Sequence, residues 1–378
     1  MKIIVDENMP NAALLFSRLG DVELVNGRTL TREQVKDVDV LLVRSVTKVT
    51  KDLLEGSRVQ FVGSATIGVD HIDLDYLQQA GITFSNAPGC NAEAVADYVF
   101  SGLSYLHLSK KLNWLSKKIG VIGYGNVGKK VCSRFAAMGC QVCVYDPFKE
   151  ETNSDINFTS LEGVLACDVI SLHAPLTKSG SHPTQGMLGE AELNVLNADV
   201  TIISAGRGGV IDESALFKLH KRLGGDLNLI LDVWQDEPNI NQELVSLVDI
   251  ATPHIAGYSK QGREKGSWMV YKALCEHLGI AADIDESDAI SSGWCASLEA
   301  ATGRTDEEVL ARSMHAIYDV ARDDARLRFK YREAKEKNVF DWLRKCYVER
   351  DEFNTCSIKH SNNDVLSLLG SAGFVINN

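Results

Sequence analysis

The chain has 378 residues, 45% of them hydrophobic and 24% charged, enough for two or three domains of ordinary globular composition. Its 39 Lys and Arg against 51 Asp and Glu leave a formal charge of -12, which repels phosphate backbones and anionic lipid surfaces, so neither nucleic acid nor membrane is expected as a partner. Collagen-like and disordered classes are excluded by composition, and no apolar run approaches the ~18 residues that span a bilayer.

The nine cysteines follow no framework spacing, and Met1 to Val5 starts straight into a strand-like run without a signal segment, so a reducing cytoplasm is expected. Cys140 and Cys143 form a C-x-x-C in or beside a strand, where positions i and i+3 face opposite sides, which argues for buried thiols over a metal or redox pair.

From the N-terminus, β-rich runs at 2–6, 40–44, 60–62 and 82–85 alternate with helix-period segments at 12–19 and 74–79. The repeated β, α, β order predicts a parallel sheet covered on both faces. A turn cluster at Asn86, Ala87, Pro88 and Gly89 ends this block, and Asn91 is placed to cap a long bridging helix that runs to about residue 109.

A second series of runs at 118–122, 141–145, 169–172, 200–204, 227–232 and 249–251 is nearly continuous in apolar residues, the mark of strands buried on both faces. With helices such as 214–223 between them, these predict a six-stranded doubly wound sheet. Beyond His254 a helical segment covers 266–278, the acidic stretch Asp283, Asp285, Glu286, Asp288 reads as a linker, and a third unit follows. It holds helical segments at 309–320 and 340–347, a strand at 355–358 and a helix at 364–369. The expected fold class is therefore α/β: two doubly wound parallel-sheet, Rossmann-like domains plus a smaller α+β C-terminal domain.

Directly after the strand ending at Ile122 stands Gly123, Tyr124, Gly125, Asn126, Val127, Gly128, a G-x-G-x-x-G opening a helix. The first Gly allows the tight turn, the second lets the backbone approach a pyrophosphate, and the third lets helix and sheet pack closely. The helix N-terminus supplies N–H groups and the positive end of a dipole. Asp146, twenty-one residues past Gly125 and at the end of the next strand, is placed to accept hydrogen bonds from an adenosine ribose. Its charge repels a 2'-phosphate, and Pro147 follows where such a phosphate would want an Arg, so the expected cofactor is NAD.

Three polar side chains follow later strands of the same sheet, where open α/β sheets bind ligands. Arg207, among Gly206, Gly208 and Gly209, offers a planar fork of donors to a substrate carboxylate. His254, in Thr252, Pro253, His254, Ile255, Ala256, Gly257, exchanges a proton near neutral pH and suits removal of an alcohol proton as hydride leaves its carbon. Glu237, before Pro238, is suited to hold the imidazole tautomer. His173 and His182 lack an adjacent third ligand, and no metal is expected.

These stretches, with Asp232 to Pro238 and Thr252 to Tyr258, resemble the D-isomer-specific 2-hydroxyacid dehydrogenases over roughly residues 1–280. The resemblance implies that Arg207, Glu237 and His254 are catalytic and that Asp232 holds the nicotinamide amide. It places Ala174, Ala205, Gly206 and Gly257, beside the fingerprint glycines, Asn126, Val127 and Asp146, on the cofactor, and Ser45, Thr66 and Tyr258 on the substrate. It further implies a discontinuous substrate-binding domain (1–92 and 256–285) closing on an NAD-binding domain (93–255), and a homodimer formed through residues 286–378.

A narrower likeness within the family lies in Val5, Asp6, Glu7, Asn8, Met9, Pro10, in Val43, Arg44, Ser45, Val46, Thr47, Lys48, and in Tyr318, Asp319, Val320, Ala321, Arg322, Asp323. It implies oxidation of 4-phospho-D-erythronate to 2-oxo-3-hydroxy-4-phosphobutanoate in pyridoxal 5'-phosphate biosynthesis. Arg44 and Lys48 are the candidates for the terminal phosphate, or else cations solvated at a domain edge. The run Arg326, Arg328, Lys330, Arg332, Lys335, Lys337 either reaches a partner's cleft or is a solvated face. Ser204 stands where the family usually has Asn, and Ala174 where it has Thr. Two other readings stay open: an enzyme for another phosphorylated 2-hydroxy acid such as 3-phosphoglycerate, and a non-catalytic NAD-sensing protein.

Overall fold

The computed structural model describes residues 1–149, 156–333 and 338–376. The chain divides into two compact units, Met1–Ala92 with Tyr258–Ser292, and Glu93–Gly257 with Gly293–Asn378.

In the first unit, strands β1 (Lys2–Asp6), β2 (Asp21–Val25), β3 (Val40–Val43), β4 (Phe61–Ser64) and β5 (Thr83–Asn86) form a parallel sheet in the order β2-β1-β3-β4-β5. Alternate residues feed two cores. Ile3, Val5, Leu42 and Phe61 pack with Val270 and Leu274 of the helix Lys260–His277, while Ile4, Leu41, Val43 and Val62 face the other way.

The edge strand β2 was not expected from the sequence. Asp21 and Glu23 interrupt its apolar pattern, and an edge lying largely in solvent does not need a continuous one. The acidic stretch expected as a linker is instead folded into this unit. Asp283 accepts a 2.5 Å bond from the Tyr271 hydroxyl, and Ile284 and Ala289 are buried.

The second unit contains β6 (Lys118–Ile122), β7 (Gln141–Tyr145), β8 (Val169–Leu172), β9 (Thr201–Ser204), β10 (Asn228–Leu231) and β11 (Ile250–Ala251), all parallel, in the order β11-β10-β9-β8-β6-β7. The order reverses between β6 and β8, and ligands of doubly wound sheets bind at the carboxyl edge of such a reversal. The bridging helix is Ala92–Lys110. Asn91 does not cap it as expected: its side-chain oxygen is buried without a partner among the described residues. Phe100 of that helix packs on Phe135 of the fingerprint helix Asn126–Ala137 at 4.6 Å, with Trp114 at 5.9 Å from Phe135.

From Gly293 onward, β12 (Ser297–Glu299), β13 (Ser357–Lys359) and β14 (Val375–Ile376) form a small parallel sheet beside helices that include Asp306–Ile317 and Val320–Glu333. The expected single helix over 309–320 is two, parted at Tyr318 and Asp319. β12 and β14, with three and two residues, are too short to show a period in sequence. The helix Val320–Glu333 lies along β11, where Asp324 accepts the Ala251 N–H at 2.8 Å and Arg328 donates to the Val245 and Val248 carbonyls at 2.6 and 2.8 Å.

Other cations of that run also have local partners: Arg326 on the Cys346 carbonyl and Lys330 on Glu333. Lys335 and Lys337 lie outside the described residues. Among the described residues no helix is long and apolar enough to cross a membrane.

Phe135 of the fingerprint helix is fully buried, so Phe135→Ala is expected to lower the stability of the second unit by about 3–5 kcal/mol in urea unfolding. A loss under about 1 kcal/mol would mean that this aromatic cluster is not the core of that helix.

Candidate active site

Strands β9, β10 and β11 are neighbours, with Ser204 and Ala251 both opposite Leu231, so Arg207, Glu237 and His254 all leave one edge of one sheet. Main-chain bonds extend the ladder past the strands. The Asp232 N–H donates to Ser204 O at 2.9 Å and the His254 N–H to Asp232 O at 2.8 Å. Gly208 lies flat against Trp234, whose carbonyl leaves no room for a Cβ there. This close approach brings the Arg207 loop onto the Glu237 loop.

His254 Nδ1 is 2.7 Å from Glu237 Oε2, and the Trp234 N–H donates to the other carboxylate oxygen at 3.0 Å. An ionised Glu237 accepts from Nδ1–H, which leaves the Nε2 lone pair as the site for an incoming proton. Burial alone raises the Glu237 carboxyl, but the bonds from His254 and Trp234 outweigh it, and the group titrates below the ordinary glutamate value.

The backbone of His254 is left-handed, with φ +56°, a conformation unfavourable to a residue bearing a Cβ unless its surroundings impose it. The buried carboxylate of Asp232 imposes it. Its oxygens accept the Thr252 hydroxyl at 2.7 Å, the Ile255 N–H at 2.7 Å and the Ala256 N–H at 2.9 Å. Since Thr252 donates its proton to Asp232, it accepts from the Tyr98 hydroxyl, 2.8 Å away. Burial lifts the Asp232 carboxyl above the usual aspartate value, against the pull of His254 and these donors. The side chain expected on the cofactor thus has both oxygens engaged by the loop that carries the imidazole.

Arg207 is half-buried, with Nη1 donating to the Gly206 carbonyl at 3.0 Å. It lines a small cavity with Ser204, Gly208, Glu213 and Leu231.

Across the β6/β8 reversal, Gly123 turns at φ +91° and Gly128 packs against its carbonyl with no space for a side chain. A Cβ on Gly125 would meet nothing within 4 Å, and the helix that starts at Asn126 has no side-chain cap. Open backbone and uncapped N–H groups of Asn126 and Val127 fit a pyrophosphate. Asp146 accepts the Tyr124 and Phe148 N–H groups, one on each oxygen, at 2.8 and 3.0 Å, and a carboxylate keeps further lone pairs for ribose hydroxyls.

Ala174 is wedged between loops. A Cβ on Gly123 would come within 2.9 Å of its nitrogen, and one on Gly206 within 2.8 Å of its oxygen. Ala205 extends the ladder, its N–H on Leu172 O at 3.2 Å. Gly257 is half-buried at the end of the His254 loop. His173 bonds Ser171 at 2.8 Å, and burial pushes its imidazole down to about 3.

In the first unit, Arg44 Nη1 donates to the Asn8 carbonyl at 3.2 Å, and Ser45 and Lys48 beside it are exposed. Arg263 donates to the same carbonyl at 3.0 Å, a convergence that sequence reading missed because the two arginines lie 219 positions apart. The Thr66 hydroxyl donates to Gly68 O at 3.1 Å and so accepts from Ser64, 2.8 Å away. Tyr258 is half-buried.

A profile of the D-isomer-specific 2-hydroxyacid dehydrogenase NAD-binding domain matches residues 107–256, and one described only as a domain of unknown function matches 293–373. The erythronate-4-phosphate dehydrogenase of a Marinomonas species is 72% identical, with 100% of both chains covered. The chain belongs to the D-isomer-specific 2-hydroxyacid dehydrogenase family. The erythronate-4-phosphate dehydrogenase of Shewanella oneidensis is 45% identical over 99% of each chain. Among solved structures, the NAD+-bound 3-phosphoglycerate dehydrogenase of Entamoeba histolytica is 28% identical with a TM-score of 0.63, over 74% of this chain and 95% of that one. Residues 107–256 are accordingly an NAD-binding domain of this family.

Because the folded Glu237 carboxyl titrates below the ordinary value of 4.5, its bonds contribute stability that is complete well above that pH and is lost as pH falls through the lower folded value. Glu237→Gln is therefore expected to unfold at lower urea than the parent at about pH 7, with the deficit shrinking at about pH 3.5. An equal deficit at both pH values would show that the charge of Glu237 contributes nothing.

Proposed function

We propose that the chain oxidises 4-phospho-D-erythronate at C2 to 2-oxo-3-hydroxy-4-phosphobutanoate in pyridoxal 5'-phosphate biosynthesis, as a cytoplasmic homodimer. The observation that carries the chemistry is the 2.7 Å His254–Glu237 pair, on the same sheet edge as Arg207 and beside an NAD fingerprint. The substrate assignment is supported by identity to erythronate-4-phosphate dehydrogenase across the whole chain, the segment after Gly293 included.

The fingerprint glycines, Asn126, Val127 and Asp146 would hold NAD, which when bound would supply a hydride acceptor for C2. His254 Nε2 takes the proton of the C2 hydroxyl, and Glu237 stabilises the imidazolium that forms. Arg207 binds the carboxylate and steadies the developing carbonyl. Ser45, Thr66 and Tyr258 contact substrate, and Arg44 takes the terminal phosphate. Asp146 binds the adenosine ribose, and Asp232, which also holds the His254 loop, binds the nicotinamide amide beside Gly257. In this reading residues 1–92 and 256–285 bind substrate, 93–255 bind NAD, and 286–378 form the dimer contact. The retained His254, Glu237 and Arg207 argue against a protein that only senses NAD, which would need none of them.

NADH formation, with hydrazine present to trap the 2-oxo product, should be far faster on 4-phosphoerythronate than on 3-phosphoglycerate. Equal rates, or a preference for the latter, would overturn the substrate assignment. His254→Ala should lower kcat about 10²–10⁴-fold with NADH affinity retained; turnover near that of the parent would remove the proton-transfer role.

A further inference from the structure

Arg350 has no part in the chemistry above, yet its guanidinium is almost completely buried, the residue being 4% exposed. Nη2 donates to two main-chain carbonyls, Ala94 O at 2.8 Å and Ala256 O at 2.7 Å. The group lies 3.9 Å from the ring centre of Tyr318, and Nε and Nη1 have no partner among the described residues. Burial works against the cation, but Tyr318, Tyr347, Asp97 and Asp323 around it keep it charged, well above the ordinary arginine value.

Desolvating a guanidinium is among the costliest things a core can do, and an apolar side chain of similar volume would fill the space more favourably. Two neutral carbonyls compensate less than a bidentate carboxylate would. The cation therefore needs a purpose other than packing, and its two acceptors indicate one.

Ala256 stands two residues after His254. Its N–H is held by Asp232 Oδ2 and its carbonyl by Arg350, so of the two peptides flanking this residue one is held by an anion and the other by a cation. Ala94 lies in the first turn of the helix Ala92–Lys110. The two carbonyls thus mark the places where the chain enters the second unit, at Glu93, and leaves it, at Gly257. The segment carrying Arg350 is fixed to the same helix by Asp97, one of whose oxygens accepts the Phe353 N–H at 2.9 Å, while the other accepts Arg134 Nη1 of the fingerprint helix at 2.6 Å.

We infer that Arg350 is a positioning residue for the reaction: by holding the Ala256 carbonyl it sets the loop that presents His254, and through it the C-terminal segment takes part in turnover as well as in assembly. The inference rests on the reading of His254 as proton acceptor.

The test uses the full-length chain. Arg350→Met keeps the volume and removes every donor; it should lower kcat about 10- to 100-fold, the scale of a misplaced catalytic group. NADH affinity, measured by fluorescence titration, should change little, and the limb of the kcat–pH profile that reports the imidazole should move. Arg350→Lys keeps the charge but not the stacked fork, and should fall between the two.

A folded Arg350→Met, with the parent's thermal transition and an unchanged kcat and pH profile, overturns the inference. Should Arg350→Met not fold, Arg350→Lys decides: a lowered kcat with a moved limb supports the inference, and parental values of both overturn it. Parental behaviour of the Arg350 variants beside an inactive His254→Ala would sink this inference alone, whereas an active His254→Ala would sink the proton-transfer reading on which it stands.

Discussion

The carboxylate of Asp232 is the constraint on which the site depends. It sits 1% exposed at the end of β10, where a negative charge is costly, and it is tolerated because three donors from residues 252–256 converge on it. Those bonds run in one direction: Tyr98 donates to Thr252, and Thr252 to Asp232. Such a chain has a single satisfied arrangement, so it selects one conformation of the loop. The left-handed His254 is part of that conformation, in which its Nδ1 lies 2.7 Å from Glu237.

Close backbone contact sets the remaining geometry. Gly123 and Gly206 both abut Ala174, and Gly208 abuts Trp234, so the loops after β6, β8, β9 and β10 touch main chain to main chain at one sheet edge. The same main-chain contacts involve Ser204 and Ala174. Ser204 acts through its carbonyl, which receives the Asp232 N–H, and that bond does not depend on the side chain. Ala174 likewise meets its neighbours through its nitrogen and oxygen, so loss of a hydroxyl leaves the contacts between these loops in place.

Legibility in the sequence followed the range of the interaction. The six buried strands of the second sheet were visible because burial on both faces leaves an uninterrupted apolar run. Strand β2 was not, because an edge half in solvent carries Asp21 and Glu23 without penalty. That Arg207, Glu237 and His254 gather at one sheet edge could be read because each follows a strand. Tyr98 and Arg350 could not: each acts through a partner more than ninety positions away, and nothing local separates a tyrosine in a helix or an arginine near a chain end from an ordinary one. Asn91 failed in the opposite sense, since a good capping residue type was in place but the chain entering the helix turned its oxygen elsewhere.

An anionic substrate must also be reconciled with a net charge of -12. Long-range attraction is unavailable to it, so binding has to come from cations close at hand. The buried arginines do not serve, because Arg134 is matched by Asp97 and Glu93 and Arg350 is enclosed. Arg44 differs in what it bonds, donating to the Asn8 carbonyl at 3.2 Å. A neutral carbonyl is a weaker acceptor for a guanidinium than a carboxylate or a phosphate, so an anion arriving at Arg44 improves the bond it replaces. The acidic surface then discriminates as well: it disfavours anions that cannot reach a cation, and only a ligand whose charge meets one recovers part of what the long-range field takes away.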